Sequence, residues 1–178
     1  LLDQHDYEAL STYFSQLNDP RLLLKQVIQT GYPVLDAVLN AKSAQCSIKG
    51  IPIDIKAVLS QKIVFPSEEL CSILCNLIDN AIEASEKAPE KDIRVEIKVA
   101  KGCISLKIFN KYPHDPRGEN PLLLTTKEDA AQHGIGMGIV RNIVKKYGGS
   151  FRFSYENGYV QASVLLPMEE ELRRPQSA

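Results

Sequence analysis

The sequence lacks the features that mark several broad classes of protein. Its 21 Lys and Arg residues balance 22 Asp and Glu residues, so the net charge of −1 gives no electrostatic reason to bind nucleic acid. No apolar run approaches the roughly 20 residues that a membrane-spanning helix needs, and no basic-then-apolar signal peptide opens the chain. We therefore predict a domain that binds no nucleic acid and does not itself enter a membrane.

The cysteines form no pattern of cross-links or zinc ligands. Cys46, Cys71, Cys75 and Cys103 include no CxxC pair. Cys71 and Cys75 lie one helical turn apart and could share a metal, but no His or further Cys stands at ligand spacing from them. Small buried side chains in a reducing compartment are the ordinary explanation. The pattern therefore predicts a cytoplasmic location.

Length and composition are those of an ordinary globular protein. The 178 residues are 44% hydrophobic and 24% charged, which suits one domain with a core and at most a short appendage. The sequence opens without Met inside a helical pattern, so we expect a fragment of a longer chain.

The first third of the chain reads as helices followed by a strand. Residues 3–17 repeat apolar side chains at steps of three and four, as an amphipathic helix does. A second helix is predicted over 21–44, with an interruption near Tyr32. Residues 51–59 alternate apolar and polar side chains, as a half-buried strand does. A third helix is predicted to follow, with Ser67 as its N-cap.

Two β-hairpins occupy much of the remainder. Residues 92–110 alternate on either side of a turn at Lys101-Gly102, and residues 151–167 turn at Asn157-Gly158. The polar stretch 111–132 has no clear periodicity, and long loops of this kind are often functional lids. Because helices fall between antiparallel hairpins, we predict an α+β fold, a two-layer α/β sandwich with one helical layer on a mixed sheet.

The helix that follows Ser67 has an unusual polar stripe. Six of its residues share one side at about 100° per residue: Ser72, Asn76, Asp79, Asn80, Glu83 and Lys87. A solvated face is the usual explanation, but such a face normally takes Glu, Lys, Gln and Arg, which cost less helix propensity. Amide oxygens suit Mg²⁺, which prefers oxygen ligands and keeps waters and substrate phosphates. The stripe therefore indicates a candidate Mg²⁺ site.

A glycine-rich run precedes the last predicted helix. Glycines let a backbone approach an anion and take positive φ, and a helix N-terminus offers free N–H groups, so phosphate is the natural ligand. A plain flexible turn is the alternative. The run is neither a Walker loop, which needs G-K-[ST], nor a Rossmann fingerprint, because no strand leads into it. Its members are His133, Gly134, Ile135, Gly136, Met137 and Gly138.

The stretch before the glycine run contains Thr125, Thr126 and Lys127. A lysine is a point charge for phosphate, and threonine hydroxyls can hydrogen-bond to it, although an exposed loop lysine would look the same. Together with the polar stripe and the glycine run, these residues predict a pocket for ATP and Mg²⁺ that is not of the P-loop type.

Three sequence boxes in order then resemble one superfamily. "NLIDNAIEAS" (76–85) resembles the N-box of the Bergerat-fold (GHKL) superfamily, which includes gyrase, heat-shock chaperone and mismatch-repair ATPases and the sensor histidine kinases. "TTKEDAAQHGIGMG" (125–138) resembles its ATP lid and second glycine box, and "IVRNIVKKYGGSF" (139–151) the helix and strand that follow. The resemblance covers about residues 31–167. Residues 30–42, like the lid, resemble the peptide-pheromone (quorum-sensing) histidine kinases.

The resemblance implies a role for each candidate residue. Asn80 would coordinate Mg²⁺, Asn76 would assist at the phosphates, and Lys127 would meet the terminal phosphate. The backbone of residues 134–138 would hold the rest of the triphosphate, and His133 would shape the lid.

The adenine site departs from the superfamily pattern. Most members have a D-x-G-x-G box whose Asp accepts a hydrogen bond from the adenine amine. Here "IFNKYPH" (108–114) places Asn110 at the Asp position and has no glycines. An amide oxygen can still accept that bond, without charge assistance. The peptide-pheromone subfamily characteristically has this replacement, which implies modest nucleotide affinity.

The residue at one position distinguishes kinases from hydrolysing ATPases within the superfamily. In the hydrolysing branches a Glu one turn before the Mg²⁺-binding Asn activates water. Here that position is Asn76, which cannot act as a base. We therefore expect a protein-histidine kinase that transfers the γ-phosphoryl of ATP to a histidine for relay to a response regulator. A hydrolysing Bergerat-fold ATPase and a nucleotide-free phosphotransfer scaffold are the alternatives.

The resemblance also implies how the full-length protein is organised. The stretch after His5 looks like a phospho-acceptor box, but its place near a helix breaker puts the expected acceptor upstream, and His114 is expected in a loop. We expect part of a helical dimerisation hairpin over 1–30, a catalytic domain over 31–167 and a disordered tail over 168–178. The protein would be a homodimer, anchored in the membrane through a missing N-terminal sensor region.

Overall fold

The computed structural model describes residues 27–115 and 134–168 of the chain. These ranges contain three helices and five strands. In chain order they are α1 (Pro33–Ile48), β1 (Ile53–Leu59), α2 (Ser67–Lys87), β2 (Ile93–Ala100), β3 (Cys103–Lys111), α3 (Gly134–Lys146), β4 (Ser150–Glu156) and β5 (Tyr159–Pro167). The predicted helix over 3–17 lies outside the described residues.

The five strands form one mixed sheet in the order β1-β2-β3-β5-β4. β1 runs parallel to β2, and each of the other neighbouring pairs is antiparallel. Parallel neighbours need a crossover connection, and α2 supplies it between β1 and β2. The predicted α+β fold with a mixed sheet is therefore confirmed.

The sheet has one buried face and one exposed face. Along β2, Ile93, Val95, Ile97 and Val99 are buried, while the residues between them are exposed, as the two-residue period of a strand requires. The buried residues face the helices. Six residues of α2 that are at most 1% exposed complete the centre of the core: Leu70, Ile73, Leu74, Leu77, Ile78 and Ala81. The predicted single helical layer thus packs on one face of the sheet.

Two tight turns set the register of the hairpins. Lys101 and Gly102 have φ values of 51° and 71°, and Asn157 and Gly158 have φ values of 52° and 78°. Positive φ at both central residues is the type I′ pattern, whose twist matches that of the flanking strands. Both turns lie where the sequence predicts them.

The start of α2 differs from the sequence prediction. Ser67 is the first helical residue and Pro66 is the N-cap, which has no side-chain capping bond. The Ser67 hydroxyl instead bonds the Tyr32 hydroxyl, 3.1 Å away, and so links α2 to the segment before α1. The prediction that Ser67 caps the helix is wrong, because this tertiary hydrogen bond occupies its side chain.

The start of α1 is locally stabilised. Pro33 is the first helical residue, where its missing N–H costs nothing, and the Asp36 carboxylate accepts hydrogen bonds from the Thr30 backbone and hydroxyl at 2.7 and 2.6 Å. The helix ends at Ile48, beyond the predicted end at Ala44. Within the described parts of the chain, no helix combines the length and apolar character needed to cross a bilayer.

Met168, the first residue of the predicted tail, is packed against the rest of the domain. Met168 is only 2% exposed, and its N–H donates to the Gly102 carbonyl at 2.7 Å. Its sulfur also lies 3.4 Å from the Val64 nitrogen. Met168 therefore belongs to the core, and the rest of the predicted tail lies outside the described residues.

Candidate nucleotide site

Two of the predicted boxes meet where α2 crosses the start of α3. A Cβ atom added to Gly136 would lie 2.5 Å from Oδ1 of Asn76, far inside van der Waals contact. Any side chain at position 136 would therefore collide with the Asn76 amide. This close approach explains why glycine occupies position 136, and it places the N-terminal turn of α3 against the polar stripe.

The Asn76 side chain is oriented by its own helix. Its Nδ2 donates to the Ser72 carbonyl oxygen, one turn earlier, at 2.7 Å. Bonding back to the helix uses the donor end of the amide and leaves Oδ1 on the side of Gly136. The amide oxygen, a hard ligand atom, is thus the end of Asn76 that faces α3.

Asn80 lies one turn beyond Asn76 and is exposed. Its side chain makes no hydrogen bond to the described residues, so its amide oxygen is available to a ligand. Glu83, the next member of the stripe, is half-buried and accepts a bond from Lys87 at 3.1 Å. Of the two carboxylates in the stripe, Glu83 therefore already has a cationic neighbour on its own helix.

Asp79 forms an ion pair with a residue of α1. Its Oδ1 lies 2.6 Å from Nζ of Lys42 in α1, and the Lys42 side chain is only 15% exposed. Lys42 also donates to Gln45 at 3.3 Å. This ion pair joins α1 to α2 and gives Asp79 a partner in the fold. Within residues 27–115 and 134–168, the side chains of Asn76 and Asn80 have no hydrogen-bond partner outside their helix.

The glycine run lies inside the helix. Residues 134–138 form the first turn of α3, and neither Gly136 nor Gly138 has a positive φ. Gly136 and Gly138 therefore do not use the left-handed conformation that glycine permits, and at position 136 the small residue instead accommodates the close approach of Asn76. Met137 is 7% exposed and packs in the core.

Four predicted site residues cannot be placed. Thr125, Thr126, Lys127 and His133 lie outside the described residues. The predicted lid between the first hairpin and α3 falls in the same range, apart from its first residues.

Asn110, the predicted adenine ligand, is buried at the end of β3. It is 4% exposed, and its Nδ2 donates to the Lys111 carbonyl at 3.3 Å. Its register partners are Ile93 in β2 and Val160 in β5, both on the helix-facing side of the sheet. A buried polar side chain on that side is unusual among apolar neighbours and agrees with a polar contact at this position.

An ion pair also fastens α3 to the start of α2. Nζ of Lys146 lies 2.7 Å from Glu69, and the ring of Tyr147 packs on Phe65 with centroids 4.6 Å apart. The hydrogen bond from Lys146 lowers the pKa of Glu69, and Tyr147 acts in the same direction. Both ends of α3 are thus held against α2.

Sequence reasoning gave Lys42 no role, although it identified the two cysteines one helical turn apart. Lys42 ends the 30–42 stretch, and only the packing of α1 on α2 brings it to Asp79. The Sγ atoms of Cys71 and Cys75 lie 4.0 Å apart. Their hydrogen bond, together with burial, raises the pKa of Cys75 far above its usual range.

The donor set fits Mg²⁺ that is shared with a nucleotide. Among the described residues, no three His, Cys, Asp or Glu side chains gather into a metal-binding cluster. A dedicated protein cage is therefore not formed by these residues. Mg²⁺ usually keeps waters and phosphate oxygens and takes only one or two protein ligands, which an exposed amide such as Asn80 can supply.

The chain matches the family model described as the GHKL domain over residues 67–167. Its fold resembles the catalytic domain of histidine kinase ThkA in a nucleotide-free form, with a TM-score of 0.64 and 18% identity over 79% of this chain and 94% of that one. It also resembles the mycobacterial sensor histidine kinase MprB, with a TM-score of 0.58 and 22% identity over 76% and 93%.

A third likeness extends over more of the chain. The Acinetobacter baumannii histidine kinase AdeS aligns with 95% of this chain and 87% of its own, at a TM-score of 0.58 and 18% identity. No curated protein sequence matches the chain. Since the family model covers the N-box helix α2, strands β2 to β5 and α3, this chain belongs to the GHKL family of ATP-binding domains.

Proposed function

We propose that this chain is the catalytic domain of a two-component sensor histidine kinase, which uses ATP and Mg²⁺ to phosphorylate a histidine. The observation that carries the proposal is the contact of Asn76 with Gly136, with Asn80 exposed one turn along α2. Amide oxygens and a helix N-terminus thereby border one region, as a bound metal–triphosphate requires.

In this proposal each candidate residue contacts a different part of the bound nucleotide. Asn80 would coordinate Mg²⁺, Asn76 would contact the phosphates, and Asn110 would accept the adenine amine. Bound Mg²⁺ would neutralise charge on the phosphoryl groups. The N–H groups at the start of α3 would hold phosphate oxygens, and Lys127 would meet the terminal one. Asp79, Glu83, Thr125, Thr126 and His133 would line the remaining edge.

Transfer, and not hydrolysis, is favoured by the residue one turn before Asn80. Asn76 has no basic atom, and its donor end is already bonded to the Ser72 carbonyl. An attacking water would therefore find no general base at this position. The pocket suits an enzyme that positions ATP until a histidine nucleophile arrives, because phosphoryl transfer depends chiefly on positioning and charge neutralisation.

The wider context is also part of the proposal. The acceptor histidine and the dimer contacts would lie in helices upstream of the catalytic domain, with residues 1–30 forming part of that hairpin. The catalytic domain would span 31–167 together with the buried Met168, and the remainder of the predicted 168–178 tail would follow it. The protein would be anchored in the membrane by a sensor region, belong to the peptide-pheromone subfamily and pass its phosphoryl group to a response regulator.

Calorimetric titration with a non-hydrolysable ATP analogue tests the site. The wild-type protein should bind the analogue more tightly with Mg²⁺ than without it. Asn80→Ala should lose that Mg²⁺-dependent gain, on the order of tenfold or 1.4 kcal/mol. Asn142→Ala, which removes another exposed helical amide, is the matched control and should bind as the wild type does. Equal binding by Asn80→Ala and the wild type would refute the assignment.

Phosphate release and phosphoryl transfer separate the kinase from its alternatives. The catalytic domain alone should release almost no phosphate from ATP, whereas a hydrolysing relative would release it steadily. Supplied with the dimerisation helices of the full-length protein, it should label one histidine with an acid-labile phosphoryl group. Failure to bind the analogue at all would favour the nucleotide-free scaffold.

A further inference from the structure

Cys71 and Cys75 form a pair of thiols on the side of α2 near α1. They occupy consecutive turns, both are half-buried, and their Sγ atoms lie 4.0 Å apart. The Lys42–Asp79 ion pair lies close enough to influence Cys75 electrostatically. The nucleotide site proposed above uses neither sulfur.

The helix prevents the two sulfurs from joining directly. Side chains four residues apart on a helix have Cβ atoms about 5–6 Å apart. A disulfide needs Cβ atoms about 3.5–4.5 Å apart and sulfurs about 2.05 Å apart. Closing the bond would therefore require α2 to bend in its middle, where Leu74 and Leu77 are packed in the core.

A single atom bound to both sulfurs can bridge their observed separation without bending the helix. An atom about 2.3 Å from each sulfur, a usual metal–thiolate distance, spans the 4.0 Å gap with an angle of about 120° at that atom. Zn²⁺ is unsuitable, because structural zinc needs four ligands and the described residues provide no third His, Cys, Asp or Glu at this place. The remaining candidates are soft metal or metalloid centres, which bind well to thiolate ligands alone.

We propose that Cys71 and Cys75 form a dithiol site on α2 that binds a soft, thiophilic metal or metalloid centre by bridging the two sulfurs. The site is independent of the proposed nucleotide function. With an organoarsenic(III) oxide as ligand, two As–S bonds replace the arsenic–oxygen double bond. The two thiol protons leave with that oxygen as water, and no atom changes oxidation state.

Titration with phenylarsine oxide tests the proposal on the full chain. One equivalent should consume two thiols, as counted with a chromogenic disulfide reagent. Cys71→Ser and Cys75→Ser should each bind at least on the order of 100-fold more weakly, because the second bond is then no longer intramolecular. Cys103→Ser, which alters a half-buried cysteine in β3, should bind as the wild type does.

Peptide mapping of the wild-type protein provides a measurement that needs no variant. After saturation with phenylarsine oxide, the remaining thiols are alkylated and the protein is digested with trypsin. Cys71 and Cys75 both fall in peptide 63–87, whereas Cys46 and Cys103 fall in separate peptides. The expected result is two unalkylated thiols in peptide 63–87. Protection of any other cysteine, or of one thiol only, would overturn the proposal, as would unaltered affinity in both serine variants.

Discussion

The two faces of α2 serve different purposes, although they share one backbone. The apolar face, which includes Leu74 and Leu77, is at most 1% exposed and fills the centre of the core. The opposite stripe presents Asn76 and Asn80, whose amides have no partner outside their helix among the described residues. Side chains on the apolar face contribute volume to the packed core. Those on the polar stripe offer oxygen atoms to a ligand. Substitutions should therefore separate stability from binding cleanly.

Truncation on the apolar face should have the largest effect. Leu77→Ala removes a side chain that is 1% exposed at the contact of α2 with the sheet, and should lower the free energy of unfolding by about 2–5 kcal/mol. Denaturant titration monitored by circular dichroism measures this loss. Leu165→Ala is the control, since Leu165 is 46% exposed on the open face of the sheet. A similar loss in both variants would contradict the assigned core.

Substitution at Gly136 should affect ligand binding at the polar stripe of α2. In Gly136→Ala the new Cβ would lie 2.5 Å from Oδ1 of Asn76, so the amide must rotate and break its bond to the Ser72 carbonyl. We expect affinity for Mg²⁺ and the ATP analogue to fall by about tenfold, or 1.4 kcal/mol. Calorimetry under the conditions used for Asn80→Ala measures this change.

Gly138→Ala is the matched control for that experiment. Gly138 lies in the same turn of α3, and a Cβ added there meets no atom within 4 Å. The alanine keeps the backbone N–H that the proposal assigns to the phosphates, so it should leave binding unchanged and stabilise the helix by up to about 1 kcal/mol. If both alanine variants bound the analogue like the wild type, the contact of Gly136 with Asn76 would have no part in the site.

The strands and turns of this fold follow from short-range rules, which is why the sequence predicts them. Alternation in residues 93–99 and the Asn157-Gly158 turn need only the strand period and positive φ. Ser67 is different, because its hydroxyl could cap the helix or bond elsewhere. The Tyr32 hydroxyl, 35 residues earlier, decides that choice, and no local pattern contains it.

The sequence predicts the types of residue in the candidate site better than it predicts their arrangement in space. The spacing of Asn76 and Asn80 places both amides on one side of α2, and the glycine run could be identified as its neighbour. Helical periodicity places Asp79 in the same stripe, yet its carboxylate forms an ion pair with Lys42 of α1. That pairing depends on how two helices pack, and helical periodicity carries no information about a partner in another helix.

Ser85 is the exception on the apolar face, since it is a fully buried polar residue. Its Oγ has no hydrogen-bond partner among the described residues. A buried hydroxyl without a partner costs about 1–3 kcal/mol, so Ser85→Ala should raise the free energy of unfolding by about 1 kcal/mol. Ser67→Ala should lower it, because the bond to Tyr32 is lost. Destabilisation by Ser85→Ala would mean that the hydroxyl has a binding partner in solution.

Glu69 lies in the first turn of α2, outside the polar stripe, and its substitution should give the smallest effect. Its pKa lies below the ordinary value of 4.5, chiefly through the hydrogen bond from Lys146. The folded state thus favours the carboxylate, and the resulting stability is present at neutral pH and disappears as the pH falls through the lowered pKa. Glu69→Gln should therefore unfold at a slightly lower temperature than the wild type at pH 7.

Thermal unfolding across pH 7 to pH 3 isolates this contribution. The difference between the wild type and Glu69→Gln should shrink below about pH 4.5 as the carboxylate becomes protonated. It should stay small at every pH, since the Lys146 side chain is 62% exposed and its charge is screened by solvent. A difference that persisted unchanged at pH 3 would mean that Glu69 stabilises α2 by packing. The first turn of α2 would then contribute to packing on both of its sides, and the division between the two faces would begin only at Asn76.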